Sequence, residues 1–259
     1  MCIQKTEKGL NMSFYMDEKG RGIERKYYHF SELDNYAENV IKTYSVTDNS
    51  HVLYPLSTDF LTILIEKYVD DLDLYYNMHE KYPDEVVEGV TIFRPCSKPS
   101  VLISEQLQNN ENRLRTTLSH ELGHVILHNP LWQTKFRNEQ LNLSQDYCVE
   151  QVCKRENITS NISNTNEANY KNYDWMEWQA NYFGCALLMP KSEVINTIHN
   201  FIKNKGILTG IYESSSLASE LISIVAKKFQ VSFQAAMIRL KVLNTFVPEV
   251  EQNIQPSLF

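Results

Sequence analysis

Residues 116–128 read Thr-Thr-Leu-Ser-His-Glu-Leu-Gly-His-Val-Ile-Leu-His, which places three of the chain's 7 histidines within a few positions of one another. Its centre is a His-Glu-x-x-His pattern formed by His120, Glu121 and His124. Residues four apart share a helical face, so both imidazoles can reach one metal ion while the glutamate stands beside it. At 100° per residue, Leu114, Leu118 and Ile126 fall within about 80° of Leu122, whereas His120 and His124 fall about 160° and 200° from it. One face is built for packing and the opposite face carries the histidines. The competing reading is a surface helix with two solvent-facing histidines. His128 continues the series, but at 1.5 Å per residue it lies about 12 Å along the axis from His120. Three rings on one straight helix converge poorly on an ion with ~2 Å bonds. His128 is therefore expected to cap the helix end, support a ligand from behind, or touch substrate.

A third ligand must come from another helix, and Asp174-Trp175-Met176-Glu177-Trp178-Gln179-Ala180-Asn181 offers one. Glu177 and Asn181 share a face with Ala180, Gly184 and Leu188, and the small residues would let this helix approach the histidine helix closely. The spacing also fits a capping box, in which Asp174 and Glu177 satisfy the helix N-terminus. Both readings of Glu177 stand on spacing alone. Trp175 and Trp178 read as packing residues.

The surrounding chain excludes several classes. It has 259 residues, 25 Lys+Arg against 32 Asp+Glu, a net charge of −7 and 42% hydrophobic residues. That length suits one large domain, or one with a small appendage. No run of about 18 apolar residues is present, so a membrane-spanning helix is not expected. The opening Met-Cys-Ile-Gln-Lys-Thr-Glu lacks the pattern of a signal peptide, and the 5 cysteines are an odd count, so a reducing cytoplasm is expected. Glycine, at 8 residues, is about half the usual ~7%, which disfavours a turn-rich β-sandwich. The acidic balance opposes nonspecific coating of nucleic acid.

Outward from the motif, residues 1–26 have no sustained period and read as a tail. Leu33, Tyr36, Ala37, Val40, Ile41 and Tyr44 recur at helical spacing, with Ser31 as an N-cap. A second helix is expected from Thr58 to Val69, and Leu72 to Met78 alternates as a strand. Val90 to Phe93 and Val101 to Ser104 suggest a hairpin with a long, proline-containing loop. The second of these strands is either a sheet edge open to an extended substrate or a buried core strand. Residues 133–172 lose their period and read as an insertion, with Cys148 and Cys153 as ordinary loop thiols or, less simply, half of a second zinc site. Leu217 to Lys228 and Ser232 to Asn244 read as two helices joined at Phe229-Gln230-Val231. Lys227, Lys228, Arg239 and Lys241 could touch phosphates there.

The stretch from Thr116 to His128, followed by Met-Glu-Trp-Gln-Ala-Asn-Tyr-Phe-Gly-Cys-Ala-Leu-Leu-Met-Pro from Met176 to Pro190, resembles the ImmA/IrrE metallopeptidases. The likeness extends to the hairpin and to Phe229–Leu240, covering roughly residues 31 to 245. Two features depart from the family pattern: a longer segment between His128 and Glu177, and Gly184-Cys185 after the Asn-Tyr-Phe. The resemblance implies zinc held by His120, His124 and Glu177, with Glu121 as general base. It implies an intracellular endopeptidase that cuts a helix-turn-helix-type repressor in phage, mobile-element or stress control. Tyr170, Tyr173, Tyr182 and His199 are candidate donors to the oxyanion.

The expected architecture is α+β: a zincin-like metallopeptidase domain over 27–200, with a small twisted β-sheet, the His-Glu-x-x-His helix and the insertion at 133–172. A C-terminal helical region follows over 201–259, with a helix-turn-helix-like pair. Two alternatives are a zinc-containing anti-repressor that sequesters its partner without cutting it, and a direct DNA-binding regulator using residues 217–244.

Overall fold

The computed structural model describes residues 14–16, 20–47, 53–139, 147–154 and 174–247. The chain enters through an antiparallel pair, β1 (Phe14–Met16) and β2 (Glu24–Lys26), within the stretch read as a tail. Ile23 is buried beside Trp132 and Trp175, and Arg21 pairs with Asp174 at 2.9 Å. An apolar side chain and a buried-side ion pair explain why this arm is held against the body.

Helix α1 (Phe30–Thr47) buries Leu33, Ala37, Val40, Ile41 and Tyr44, the stripe its spacing predicts. It begins earlier than expected. The His29 carbonyl accepts from Leu33 N, and the Glu32 carboxylate accepts from His29 N at 2.7 Å, so Ser31 lies inside the first turn instead of capping it. Helix α2 (Thr58–Glu66) is capped by Ser57, whose hydroxyl accepts from Phe60 N at 3.1 Å. A one-turn helix α3 (Met78–Lys81) follows strand β3 (Asp71–Tyr76).

The expected hairpin is present as β4 (Val87–Phe93) antiparallel to β5 (Ser100–Ser104), both buried throughout. With β3 and β6 (Val149–Lys154) they form a mixed sheet in the order β3-β5-β4-β6. β3 runs parallel to β5, and β6 runs antiparallel to β4. Two expectations change here. Residues 101–104 are a central core strand and offer no free edge. The supposed insertion begins with helix and contains the strand β6, preceded by residues 147–148; its other residues lie outside those described.

Helix α4 (Glu111–Asn138) lies under the sheet and continues through Pro130. Trp132 and Phe136, on the face of His128, bury beside Phe93 and Trp175 and compensate for the hydrogen bond that Pro130 cannot donate. Helix α5 (Trp175–Leu188) packs along α4, and α6 (Lys191–Lys205) follows after Pro190. The principal core gathers side chains from α1, α2, β5, α4 and α5. The result is a mixed α+β fold, and among the described residues no single helix is long and apolar enough to cross a membrane.

The C-terminal pair, α7 (Ser216–Phe229) and α8 (Phe233–Val242), meets at 110° across a turn whose Gln230 adopts a left-handed conformation. Short strands β7 (Ile211–Tyr212) and β8 (Phe246–Val247) flank the pair and run parallel. Arg115 of α4 fastens the turn. The residue is 1% exposed, and its guanidinium donates to Leu56 O at 3.0 Å, to Phe229 O at 3.1 Å and to Gln230 O. The basic residues of the pair are largely committed: Arg239 to Asp34, Lys228 to Glu193 and Lys241 to Glu213.

Candidate metal centre

The site lies where α4 and α5 cross, and small residues make the crossing close. A Cβ on Gly123 would lie 2.9 Å from Ala180 Cα, and one on Gly184 would lie 3.0 Å from backbone atoms of Ser119 and His120. Backbone cannot move aside as a side-chain tip can, so Gly184→Ala should push the helices apart. We expect it to lower stability by about 1–3 kcal/mol and to weaken metal retention, read by chemical denaturation and metal titration. Unchanged stability and affinity would show that the crossing tolerates a methyl group.

Donor atoms from three residues converge at this crossing. His120 Nε2 and His124 Nε2 lie 3.0 Å apart, and Glu177 presents one carboxylate oxygen to each ring, at 3.3 Å and 3.2 Å. Asp174 caps α5 with its own carboxylate, which accepts from Met176 N at 3.0 Å, while Glu177 turns toward the imidazoles. Of the two readings left by the spacing, the geometry brings Glu177 to the histidines.

Hydrogen-bond partners assign the ring protons. His120 Nδ1 donates to Asn181 Oδ1 at 2.9 Å, which leaves its Nε2 lone pair facing the centre. Behind His124 the assignment runs through a chain. Gln179 Nε2 donates to the Lys26 carbonyl at 2.6 Å, so Gln179 Oε1 must accept from His128 Nε2 at 3.1 Å. His128 Nδ1 is then an acceptor for His124 Nδ1 at 2.9 Å, and His124 Nε2 is also bare toward the centre. Among the roles open to His128, it takes support of His124. Burial and the neighbouring His124 hold the His128 imidazole well below its usual value, in keeping with a neutral ring.

Glu121 stands beside the donors. Thr91 Oγ1 donates to Glu121 Oε2 at 2.5 Å, while Oε1 is buried without a hydrogen-bond partner. The absence of a side chain at Gly89 leaves the space that this carboxylate fills. Burial raises the Glu121 carboxyl above its usual value against the opposing pull of His120, His124 and the Thr91 hydrogen bond. Glu177 behaves oppositely: burial would raise it, but the two imidazoles hold it well below the carboxylate range.

The fourth wall was not legible as part of the site. Strand β6 directs Gln151 to Glu177, with Gln151 Nε2 donating to Oε1 at 2.6 Å. Its Cys153 shares a cluster with His120 and Glu121, the candidate ligand atoms all lying within 4.8 Å of one another. Burial pushes the Cys153 thiol up to about 12. Cys153 is thus neither a loop thiol nor a partner of Cys148, which is exposed ahead of the strand. The alternation of Val149, Gln151 and Cys153 was its sequence signal, obscured by the polar residues between and around them.

Of the candidate oxyanion donors, Tyr170 and Tyr173 lie outside the described residues. Tyr182 is buried with its hydroxyl donating to Asp34 at 3.2 Å, and His199 is exposed on α6. A cavity of about 210 Å³ opens on the other flank of His120, walled by Asn181, Gly184 and Leu188 and by Ser232 and Ile238 of the C-terminal pair.

The donor set suits a divalent metal ion. Two imidazoles and a carboxylate surround one point, and Glu177 Oε2, like Glu121 Oε1, is buried without a hydrogen-bond partner. A family model described as Peptidase_M78, the IrrE N-terminal-like domain, matches residues 151–241. The match begins within β6 and takes in Glu177 and both C-terminal helices, with the His120 helix ahead of it. It agrees with the ImmA/IrrE resemblance and supports a metallopeptidase type of function, hence a metal. Neither the curated proteins nor the solved structures contain a match to the chain.

Proposed function

We propose that this chain, whose residues 151–241 match an IrrE N-terminal-like peptidase domain, is a zinc-dependent cytoplasmic endopeptidase. Its proposed substrate is a partner repressor of the helix-turn-helix type, as the family resemblance implies. The observation that carries the reading is the triangle of His120, His124 and Glu177 beside Glu121, a buried carboxylate with one unpartnered oxygen. Zinc bonds of ~2.0–2.1 Å at tetrahedral angles place neighbouring donors roughly 3.3 Å apart. The two Nε2 atoms lie 3.0 Å apart, and each has a Glu177 oxygen nearby, Oε2 at 3.3 Å from His120 and Oε1 at 3.2 Å from His124, separations that suit that ion.

His120, His124 and Glu177 would hold the metal, which supplies Lewis acidity toward a water molecule and the scissile carbonyl. Asn181 and His128 keep the two rings in the tautomers that bind. Thr91 occupies Glu121 Oε2, so Oε1 is the atom that takes the proton and returns it to the leaving amine. A carboxyl raised by burial is better matched to that exchange near neutrality than an exposed one.

Metal analysis after mild dialysis tests the centre: about one zinc per chain is expected by the three-donor site, and His120→Ala should lose it. Wild-type protein that stays folded and metal-free when zinc is offered would refute it. One rival has an observation in its favour. His120, Glu121, His124 and Glu177 are only 0–3% exposed, which also suits a zinc-containing anti-repressor that binds its partner without cutting it. Direct DNA binding is less favoured, because Arg239, Lys228 and Lys241 are already engaged with carboxylates.

A further inference from the structure

Thr91 of β4 and Gln151 of β6 are partners in the antiparallel register, so their side chains share the face of the sheet that covers the site. Each donates one hydrogen bond to one of its two acids. Thr91 Oγ1 donates to Glu121 Oε2 at 2.5 Å, and Gln151 Nε2 donates to Glu177 Oε1 at 2.6 Å. Each acid is left with one buried oxygen that has no hydrogen-bond partner, Glu121 Oε1 and Glu177 Oε2. The sheet thus occupies one oxygen of the base and one oxygen of the ligand. Gln151 is held in place by its neighbours, which alternation sends to the other face. The Tyr82 hydroxyl donates to Glu150 at 2.7 Å, Lys81 pairs with the same carboxylate, and Val152 packs with the cluster around Met78 and Val90. Its amide therefore meets Glu177 at a fixed point.

We propose that Gln151 is a positioning residue that reserves Glu177 Oε2 for the metal by keeping Oε1 occupied. The inference rests on the metallopeptidase reading and names the oxygen of Glu177 that binds. An oxygen that already accepts a charge-assisted hydrogen bond has less electron density to offer a cation. A carboxylate that gives one oxygen, beside two imidazoles, keeps a fourth position for water. Without the Gln151 donor, Oε1 becomes a buried, charged oxygen with no hydrogen bond of its own, and a metal held by the histidines is the cation that can satisfy it. Glu177 then offers two oxygens, and water loses its place.

Cobalt(II) loaded into the full chain reads the coordination, because four-coordinate cobalt absorbs visible light more strongly than five- or six-coordinate cobalt. The wild type should give the strong bands of a four-coordinate ion. Gln151→Met keeps the length of the side chain without the donor, and should bind cobalt with clearly weaker bands. Its zinc form should hydrolyse a reporter peptide about 10–100-fold more slowly, the usual cost of removing a group that orients a ligand. Gln151→Val, which also lacks the donor and suits a strand, should give the same weakened spectrum. Thr91→Val should slow hydrolysis with the wild-type spectrum, since Thr91 holds Glu121 and no ligand. Weak bands already in the wild type, or bands as strong in both Gln151 variants as in the wild type, would overturn the role of Gln151 and leave the three-residue centre intact. Wild-type protein that binds no cobalt would overturn the metal centre and this inference together.

Discussion

Replacing Glu121 with glutamine is expected to leave the chain folded and metal-loaded while lowering peptide hydrolysis by ~10²–10⁴-fold, the usual contribution of a positioned general base. The carboxylate is outside the His120–His124–Glu177 triangle, so its replacement removes no ligand from that set. Glutamine has nearly the same volume, and its carbonyl oxygen can accept from Thr91 as Oε2 does now. Its amide group then lies where Oε1 stands, and an amide cannot accept and return a proton. Single-turnover cleavage of the partner repressor, measured beside the metal content of the same sample, reads both quantities. Retained cleavage would remove Glu121 from the base role. Release of the repressor from its operator by the variant as efficiently as by the wild type would favour sequestration over proteolysis. Loss of metal would instead show that Glu121 helps to form the centre.

Which parts of this site are legible in the sequence follows from the range over which each is specified. His120, Glu121 and His124 are set by one helical period, and the apolar stripe at Leu118, Leu122 and Ile126 fixes which way they face. Glu177 is harder, because Asp174 and Glu177 satisfy a local capping pattern as well as a distant ligand pattern. Only packing of Gly184 against Ser119 and His120 brings that carboxylate to the rings. The continuation of α4 is written in His128, Trp132 and Phe136, spaced by four, but it runs into the stretch from residue 133 whose period is otherwise lost. β6 is the clearest gap. An edge strand needs one apolar face at most, and Val-Glu-Gln-Val-Cys-Lys keeps so few apolar residues that its pairing with β4 decides its structure. Cys153 acquires its meaning only from that register. Arg239 fails in the opposite direction: as a basic residue on a terminal helix it reads as a phosphate contact, yet it is 1% exposed.

That burial makes Arg239 the site of the largest stability effect expected here. Its Nη1 lies 2.7 Å from Asp34 Oδ1, and its Nε donates to the Met189 carbonyl at 3.0 Å, so one guanidinium joins α1, the end of α5 and α8. Tyr182, also bonded to Asp34, lies 3.3 Å from the same Nη1. Arg239→Met keeps much of the side-chain volume but leaves Asp34, at 3% exposure, with no cation facing it. Such a broken buried pair typically costs ~3–5 kcal/mol. Removing both charges, as in Asp34→Leu with Arg239→Met, should recover most of that loss, because the pair's attraction is largely offset by the desolvation of its two ions. Urea unfolding of the two single variants and the double variant gives the coupling. A cost under about 1 kcal/mol for Arg239→Met would mean that Asp34 finds water or another partner, and that the ion pair does not hold α8 in place. The expected result also governs how DNA binding is tested. Since α8 supplies Ser232 and Ile238 to the cavity beside His120, loosening it disturbs the metal site as well as the helix surface. Loss of any function in an Arg239 variant therefore reports first on the attachment of α8, and a phosphate contact has to be sought at Lys227 instead.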